Sequence, residues 1–243
     1  MKRALKQLAR TFATLVMLPV VACYYVHAAL VGKNRAFPGF SQFASLWPGS
    51  SGNYLRAALY RLILPRCGDG VCISFGTLFS HPTAVVGDDV YIGIGCMVGD
   101  ATIESDVLIG SNVSVINGGR QHDTRRLDVP VRLQPGTFPR VTIGQDSWIG
   151  DRAVVMADVG RHCVVGAGAV VTKPVPDFAI VAGSPARVVN WRQHTDKCEA
   201  NGSDDCVNNK ARKHLAQDAS APLGIEATRE GDEVIGSTRY QSQ

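Results

Sequence analysis

Between Val71 and Arg192 apolar residues return every six positions. Neither a 3.6-residue helix nor an alternating strand has that period. They fall at Val86, Ile92 and Val98, then after a five-residue step at Ile103, Ile109 and Val115, and later at Ile143, Ile149, Val155, Val159, Val165 and Val171. Eight of these twelve are followed directly by glycine (87, 93, 99, 110, 144, 150, 160 and 166), where average usage of about 7% predicts roughly one. The fifth hexad position is small or β-branched: Val90, Cys96, Thr102, Val107, Val113, Ser147, Ala153, Cys163 and Ala169. A repeat this short fits a β-solenoid with three flat faces, about 18 residues per coil. The branched residue points inward, glycine permits the turn and coils stack at about 4.8 Å. The expected fold class is all-β, a triangular parallel β-helix of about five coils, roughly 25 Å tall at that spacing. The five-residue step after Val98 and the four-residue step after Val155 read as tightened corners.

The rhythm breaks once, from Asn117 to Arg140, in NGGRQHDTRRLDVPVRLQPGTFPR. A stretch of Gly, Pro, Arg and Asp inside a regular repeat bulges out as a loop, and loops on rigid scaffolds are where chemistry tends to sit. It holds His122 and Arg120, Arg125, Arg126, Arg132 and Arg140. Those arginines suit an anionic acceptor or, more simply, a solvated basic loop.

Ahead of the repeat, residues 1–34 form a hydrophobic leader. Lys2, Arg3, Lys6 and Arg10 precede 21 residues, Thr11 to Val31, without an acid, lysine or arginine. That run is long enough to span a bilayer. Three readings compete: a spanning helix, a secretory signal cleaved near Val26-His27-Ala28, and a segment that enters and leaves the same membrane face, which Pro19 in mid-run favours. Residues 35–70 read as amphipathic helices. Phe37, Phe40, Phe43, Leu46 and Trp47 share a helical side, and a second helix covers about Asn53 to Leu64 after the Pro48-Gly49 break. They suit either an in-plane membrane surface or a cap on the solenoid.

Residues 71–192 are the solenoid domain, ended by the proline-punctuated TKPVPDFAIVAGSPARVVNWR, and residues 193–243 read as a polar, disordered tail. A net charge of +4 without a basic tract gives a nucleic-acid partner no support. Seven irregularly spaced cysteines match neither a disulfide framework nor a CxxC metal site, so reduced thiols and no metal are expected.

The hexads, with DSWIG at 146–150, VVGAGAVVTK at 164–173 and GSPARVV at 183–189, resemble the hexapeptide-repeat acyltransferases over about half the chain. RQHD around His122 and FSHP around His81 are similar to the colanic-acid and exopolysaccharide O-acetyltransferase branch. The resemblance implies a left-handed β-helix, a homotrimer and acetyl-CoA as co-substrate. The implied acceptor is the hydroxyl of a saccharide or lipid-linked saccharide in surface polysaccharide synthesis, at the cytoplasmic face of the inner membrane. It also implies that His122 is the catalytic general base. An imidazole changes charge between about pH 5 and 8 and can take the hydroxyl proton as oxygen attacks the thioester. Candidate acceptor-binding residues are His81 and Asp123. Candidate acetyl-CoA contacts are Trp148, Gly150, Ala167, Thr172, Lys173 and Arg187. The early-coil asparagine that many sugar acetyltransferases of this fold use has no counterpart at Ile94-Gly95-Cys96, which argues against a small galactoside or maltose acceptor.

Two alternatives stand beside this reading. A membrane-tethered scaffold without catalysis would keep the solenoid but has no use for Trp148, Lys173 and Arg187. A metal hydratase of the γ-carbonic anhydrase type needs an H-x4-H pair, and the positions five before and five after His122 are Asn117 and Leu127.

Overall fold

The six-residue rhythm winds into three parallel sheets set as the sides of a prism. The structure, a computed structural model, describes residues 2–192; the tail read at 193–243 lies outside the described residues. The first sheet stacks Arg66–Cys67, Val85–Val86, Ala101–Ile103 and Val141–Ile143. The second stacks Cys72–Ile73, Tyr91–Ile92, Leu108–Ile109, Trp148–Ile149, Val164–Val165 and Ala179–Ala182. The third stacks Leu78–Phe79, Met97–Val98, Ser114–Val115, Val154–Val155 and Val170–Val171. Isolated bridges carry the first sheet on through Val159 and Val175, giving about six coils.

Register is set by the inward residues. Ile92, Ile109, Ile149 and Val165 pair in one column, and all twelve inward positions of the repeat are at most 2% exposed. The first coil begins at Arg66, ahead of Val71, and its inward residues are Cys67, Ile73 and Phe79. Cys67 and Phe79 are not branched aliphatics, which hides this coil in the sequence. Of the small corner residues, Thr102 is not one: Ala101 takes the corner at 0% exposure and Thr102 faces outward. The five-residue step from Val98 to Ile103 shifts the register there by one.

Two different demands shape the corners. Glycine after an inward residue is required by the neighbouring coil, because a Cβ on Gly93 would lie 2.6 Å from the Gly110 carbonyl carbon and 2.8 Å from Ser111 N. The left-handed backbone of the turn falls two residues later, at Asp89 (φ 53°), Asp106 (φ 63°), Asn112 (φ 56°) and Asp146 (φ 54°), residue types that tolerate it. Higher up, His162 (φ 56°) and Phe178 (φ 66°) occupy the same place. Their rings stack at 5.1 Å and 9°, His162 Nδ1 lies 2.9 Å from Asp146 Oδ2, and Arg192 holds the same carboxylate at 3.0 Å.

Every departure from the six-residue step lies at one corner, where the third sheet passes to the first. The steps there run Phe79 to Val86, Val98 to Ile103, Val115 to Ile143, Val155 to Val159 and Val171 to Val175. The long loop is therefore an expansion of the one corner whose length varies anyway.

Three helices close the lower end: α1 (Lys2–Val31), α2 (Lys33–Ser45) and α3 (Gly49–Ile63). The helix α1 continues through Pro19 and the chain turns back only at Gly32 (φ 90°), so no turn forms at the proline on which the re-entrant alternative leaned. Ala13, Met17, Val21, Tyr24 and Ala28 bury one face of α1 against α2 and α3. Of the aromatic side predicted for α2, Phe37 is buried while Phe43, Leu46 and Trp47 remain exposed.

Arg56 joins this cap to the first coil. Fully buried, it donates from Nε to the Ile73 carbonyl (2.8 Å), from Nη1 to those of Trp47 (2.6 Å) and Ala44 (3.3 Å), and from Nη2 to Asn53 Oδ1 (2.7 Å). Burial lowers its pKa from the usual arginine range. The Ala44 carbonyl, in the last turn of α2, carries the negative end of that helix dipole. At the other end, Arg187–Trp191 folds back antiparallel on Ala179–Ala182 and covers the last parallel edge.

Replacing Gly93 by alanine is expected to destabilise the fold by about 1–3 kcal/mol, because the methyl meets backbone that cannot move aside. An unchanged denaturation midpoint for G93A would show that the coils tolerate a wider spacing.

Candidate active site

The loop is fastened at its neck by one buried side chain. Asn117, 4% exposed, accepts from Asp100 N at Oδ1 (2.9 Å) and donates from Nδ2 to the carbonyls of Asp100 (2.7 Å) and Pro139 (3.0 Å). It thereby ties both ends of the loop to the coil below. Arg140 adds an ion pair with Asp100 (3.0 Å) and a hydrogen bond to the Thr83 carbonyl (3.0 Å).

Beyond the neck the loop is a narrow ribbon. Asp123 N donates to the Pro135 carbonyl and Thr137 N to the Arg120 carbonyl, each at 2.8 Å. Gly136 sits where a Cβ would overlap the Gln121 carbonyl oxygen at 1.8 Å, so that position admits no side chain. The outer lobe folds around Gln134, 7% exposed, which donates to the carbonyls of Arg126 (2.7 Å) and Val129 (2.8 Å) and accepts from Arg126 N (3.2 Å).

His122 projects from this ribbon, exposed, into a cavity of about 500 Å³ lined also by Arg120, Asp123, Arg125 and Thr137. Its ring meets Phe138 edge-on at 6.5 Å and has no hydrogen-bond partner among the described residues. Asp123 lines the same cavity but faces Arg125, whose Nε lies 3.0 and 2.9 Å from its two carboxylate oxygens. Those hydrogen bonds hold its pKa down to about 2. The carboxylate thus does not orient the imidazole.

The other candidates do not line this cavity. His81 shares the corner of the loop but belongs to the step between the first two coils, with Nδ1 2.8 Å from Ser80 Oγ, and does not line the cavity. Gly150 and Ala167 are stacked where the second sheet turns into the third; a Cβ on Gly150 would lie 2.5 Å from Ala167 N. Trp148 stands 54% exposed on the second sheet beside them. Thr172 and Lys173, both exposed, leave the opposite edge of the third sheet at its last strand. Arg187 opens the final antiparallel strand, exposed, with Nη1 donating to the Ala186 carbonyl at 2.9 Å. Within one chain these residues bracket the third sheet, with Thr172 and Lys173 at the corner that also carries the loop, and none of them lines the His122 cavity. Among the described residues no three His, Cys, Asp or Glu side chains converge as metal ligands.

Asn117, Gln134 and Gly136 organise the loop, and the sequence alone did not mark them. Asn117 had one signal, a polar residue two places after Val115, the last regular inward residue before the loop.

Alanine at position 117 leaves the Asp100 N–H and the Pro139 carbonyl without partners, and the Asp100 carbonyl with only Val141 N at 3.3 Å, and is expected to cost about 1–3 kcal/mol. Limited proteolysis should then cut N117A within the loop faster than the parent protein; equal rates would mean that the neck is held by something else.

Residues 140–173 match the family model described as bacterial transferase hexapeptide (six repeats). Galactoside O-acetyltransferase of Escherichia coli K12 is 30% identical over 150 residues, 58% of this chain and 71% of that protein. WbbJ of the same organism, whose name assigns it to O-acetyl transfer in lipopolysaccharide biosynthesis, is 29% identical over 129 residues, 50% of this chain and 64% of its own length. The crystal structure of a Vibrio cholerae hexapeptide-repeat acetyltransferase complexed with acetyl coenzyme A superposes with a TM-score of 0.57 at 24% identity, covering 69% of this chain and 91% of that one, a likeness of fold. With the inward columns, the stacked glycines and the single expanded corner already in place, these matches make the chain a member of the hexapeptide-repeat acetyltransferases, enzymes built on a left-handed parallel β-helix.

Proposed function

We propose that the protein transfers an acetyl group from acetyl-CoA to a hydroxyl of a saccharide or lipid-linked saccharide in surface polysaccharide biosynthesis, with His122 as general base. The observation that carries this reading is the exposed imidazole in the cavity of the loop that leaves the coils. The neutral ring takes the acceptor proton as the hydroxyl oxygen attacks the thioester carbonyl. A backbone N–H of a coil turn stabilises the oxyanion, the C–S bond breaks, and the imidazolium returns its proton to the departing CoA thiolate. Lys173 and Arg187 are the cations for the CoA phosphates, and Trp148, Gly150, Ala167 and Thr172 line its path. None of these residues lines the His122 cavity of its own chain, and the reading takes a homotrimer whose sites lie between adjacent solenoids. Arg120, on the cavity wall, suits an acidic or phosphate-linked acceptor. The need for acetyl-CoA places the solenoid on the cytoplasmic face of the membrane, with α1 against it.

His122→Ala is expected to lower kcat by about 10²–10⁴-fold while leaving CoA binding intact. An unchanged rate sinks the mechanism, and calorimetry without any heat of CoA binding turns the reading towards a scaffold. The pH dependence gives a second check. The folded pKa of Asp123, about 2, lies below the ordinary carboxylate value, so its stabilising ion pair is complete above about pH 4 and is lost as pH falls towards 2. An inflection of kcat/KM between about pH 5 and 8 should therefore persist in Asp123→Asn; its disappearance would assign the proton transfer differently.

A further inference from the structure

The helix α1 presents two opposed faces. Ala13, Met17, Val21, Tyr24 and Ala28 are buried on the cap, whereas Leu5, Leu8, Phe12, Leu15, Val26 and Leu30 stand 60–79% exposed. At 3.6 residues per turn the two sets centre on opposite sides of the helix. The buried set runs along about 22 Å of axis, most of the roughly 30 Å hydrocarbon thickness. A spanning helix would have lipid around it over that length, but here the body of the protein, with Arg56 and Arg61 on α3, lies alongside it. The packed arrangement fits a helix lying in the membrane plane with its exposed stripe in the acyl region.

On the other side of its amino-terminal half, α1 walls a pocket of about 310 Å³ shared with α3 and the first turn of the solenoid. Lys6, Arg10, Asn53, Tyr54, Arg61 and Cys72 line it, and no acidic side chain does. Arg61 also pairs with Asp69 at 3.0 Å, whose side chain is 84% exposed. Lys6 and Arg10 have no ion-pair partner among the described residues. They continue the buried row of α1 toward its start, so with the stripe in the acyl layer they stand about one helix diameter, roughly 10 Å, higher, at headgroup level.

We propose that α1 lies flat on an anionic membrane and that the pocket formed with α3 and the first coil binds the phosphate of a lipid headgroup. Two unpaired cations and a half-engaged arginine converge on a space that suits a phosphate, which takes charge-assisted hydrogen bonds from all three. The inference rests on the reading that α1 meets a membrane, and the test separates the two.

The full chain is floated with vesicles of phosphatidylcholine alone and with added phosphatidylglycerol. The parent protein should prefer the anionic vesicles and be released by alkaline carbonate; retention after carbonate overturns the flat orientation. K6Q/R10Q and K33Q/R35Q each remove two charges near opposite ends of α1, but only the first pair lines the pocket. General attraction weakens both alike, so the pocket predicts an additional loss of about tenfold in K6Q/R10Q. Equal losses overturn lipid binding in the pocket and leave the membrane contact standing. Calorimetry with inorganic phosphate tests a soluble anion as the source: a stoichiometric heat absent from K6Q/R10Q, together with equal vesicle losses, overturns the lipid. Failure of the parent protein to bind any vesicle overturns the membrane reading itself; a second copy covering the stripe would then show as a changed oligomeric mass in L8Q/F12Q.

Discussion

The structure depends on backbone lying directly on backbone at the spacing of parallel strands. At that distance the neighbouring coil leaves no room for a Cβ after an inward residue, and this is why glycine follows the branched residue at Gly87, Gly93, Gly144 and Gly150. The left-handed residue two places on lets the chain turn, and aspartate and asparagine serve there as well as glycine. Where the turn instead carries His162 and Phe178, ring stacking and the shared Asp146 carboxylate hold the less favourable backbone in place.

A rigid stack offers few places to vary, and this chain varies at one. The corner between the third and first sheets takes short steps, a long step and the loop, while the other two corners keep their length. Variation confined to an edge leaves the inward columns in register. The loop can therefore project a histidine and a lobe of ion-paired arginines at no cost to the core. Asn117 makes that projection definite by bonding both ends of the loop to the same residue of the coil beneath or to its flank.

Both open ends of the prism are closed by elements that do not follow the hexad. The antiparallel strand Arg187–Trp191 covers the last edge and places Arg187 near the upper coils. Below, Arg56 satisfies carbonyls of α2 and of the first coil together, so the helical cap and the solenoid are one body. That rigid joint is what sets α1 lengthwise, with its stripe outward and its cations turned toward the pocket.

The sequence by itself determined the solenoid, its inward columns, the break at Asn117 to Arg140 and the prominence of His122, because a six-residue period with following glycines has one physical solution. It did not reveal the first coil, whose Cys67 and Phe79 fall outside the expected residue types, or Ala101 in place of Thr102, since a one-residue register shift is visible only once strands pair. Nor did it reveal that Asp123 turns to Arg125, that Gln134 and Asn117 hold the loop, or that α1 continues through Pro19 and packs on α3. Those outcomes depend on which groups meet across the chain. Periodic burial is written locally in residue type and spacing, whereas hydrogen-bond partners and helix orientation are settled by contacts between segments far apart in sequence, and only the tertiary structure decides those.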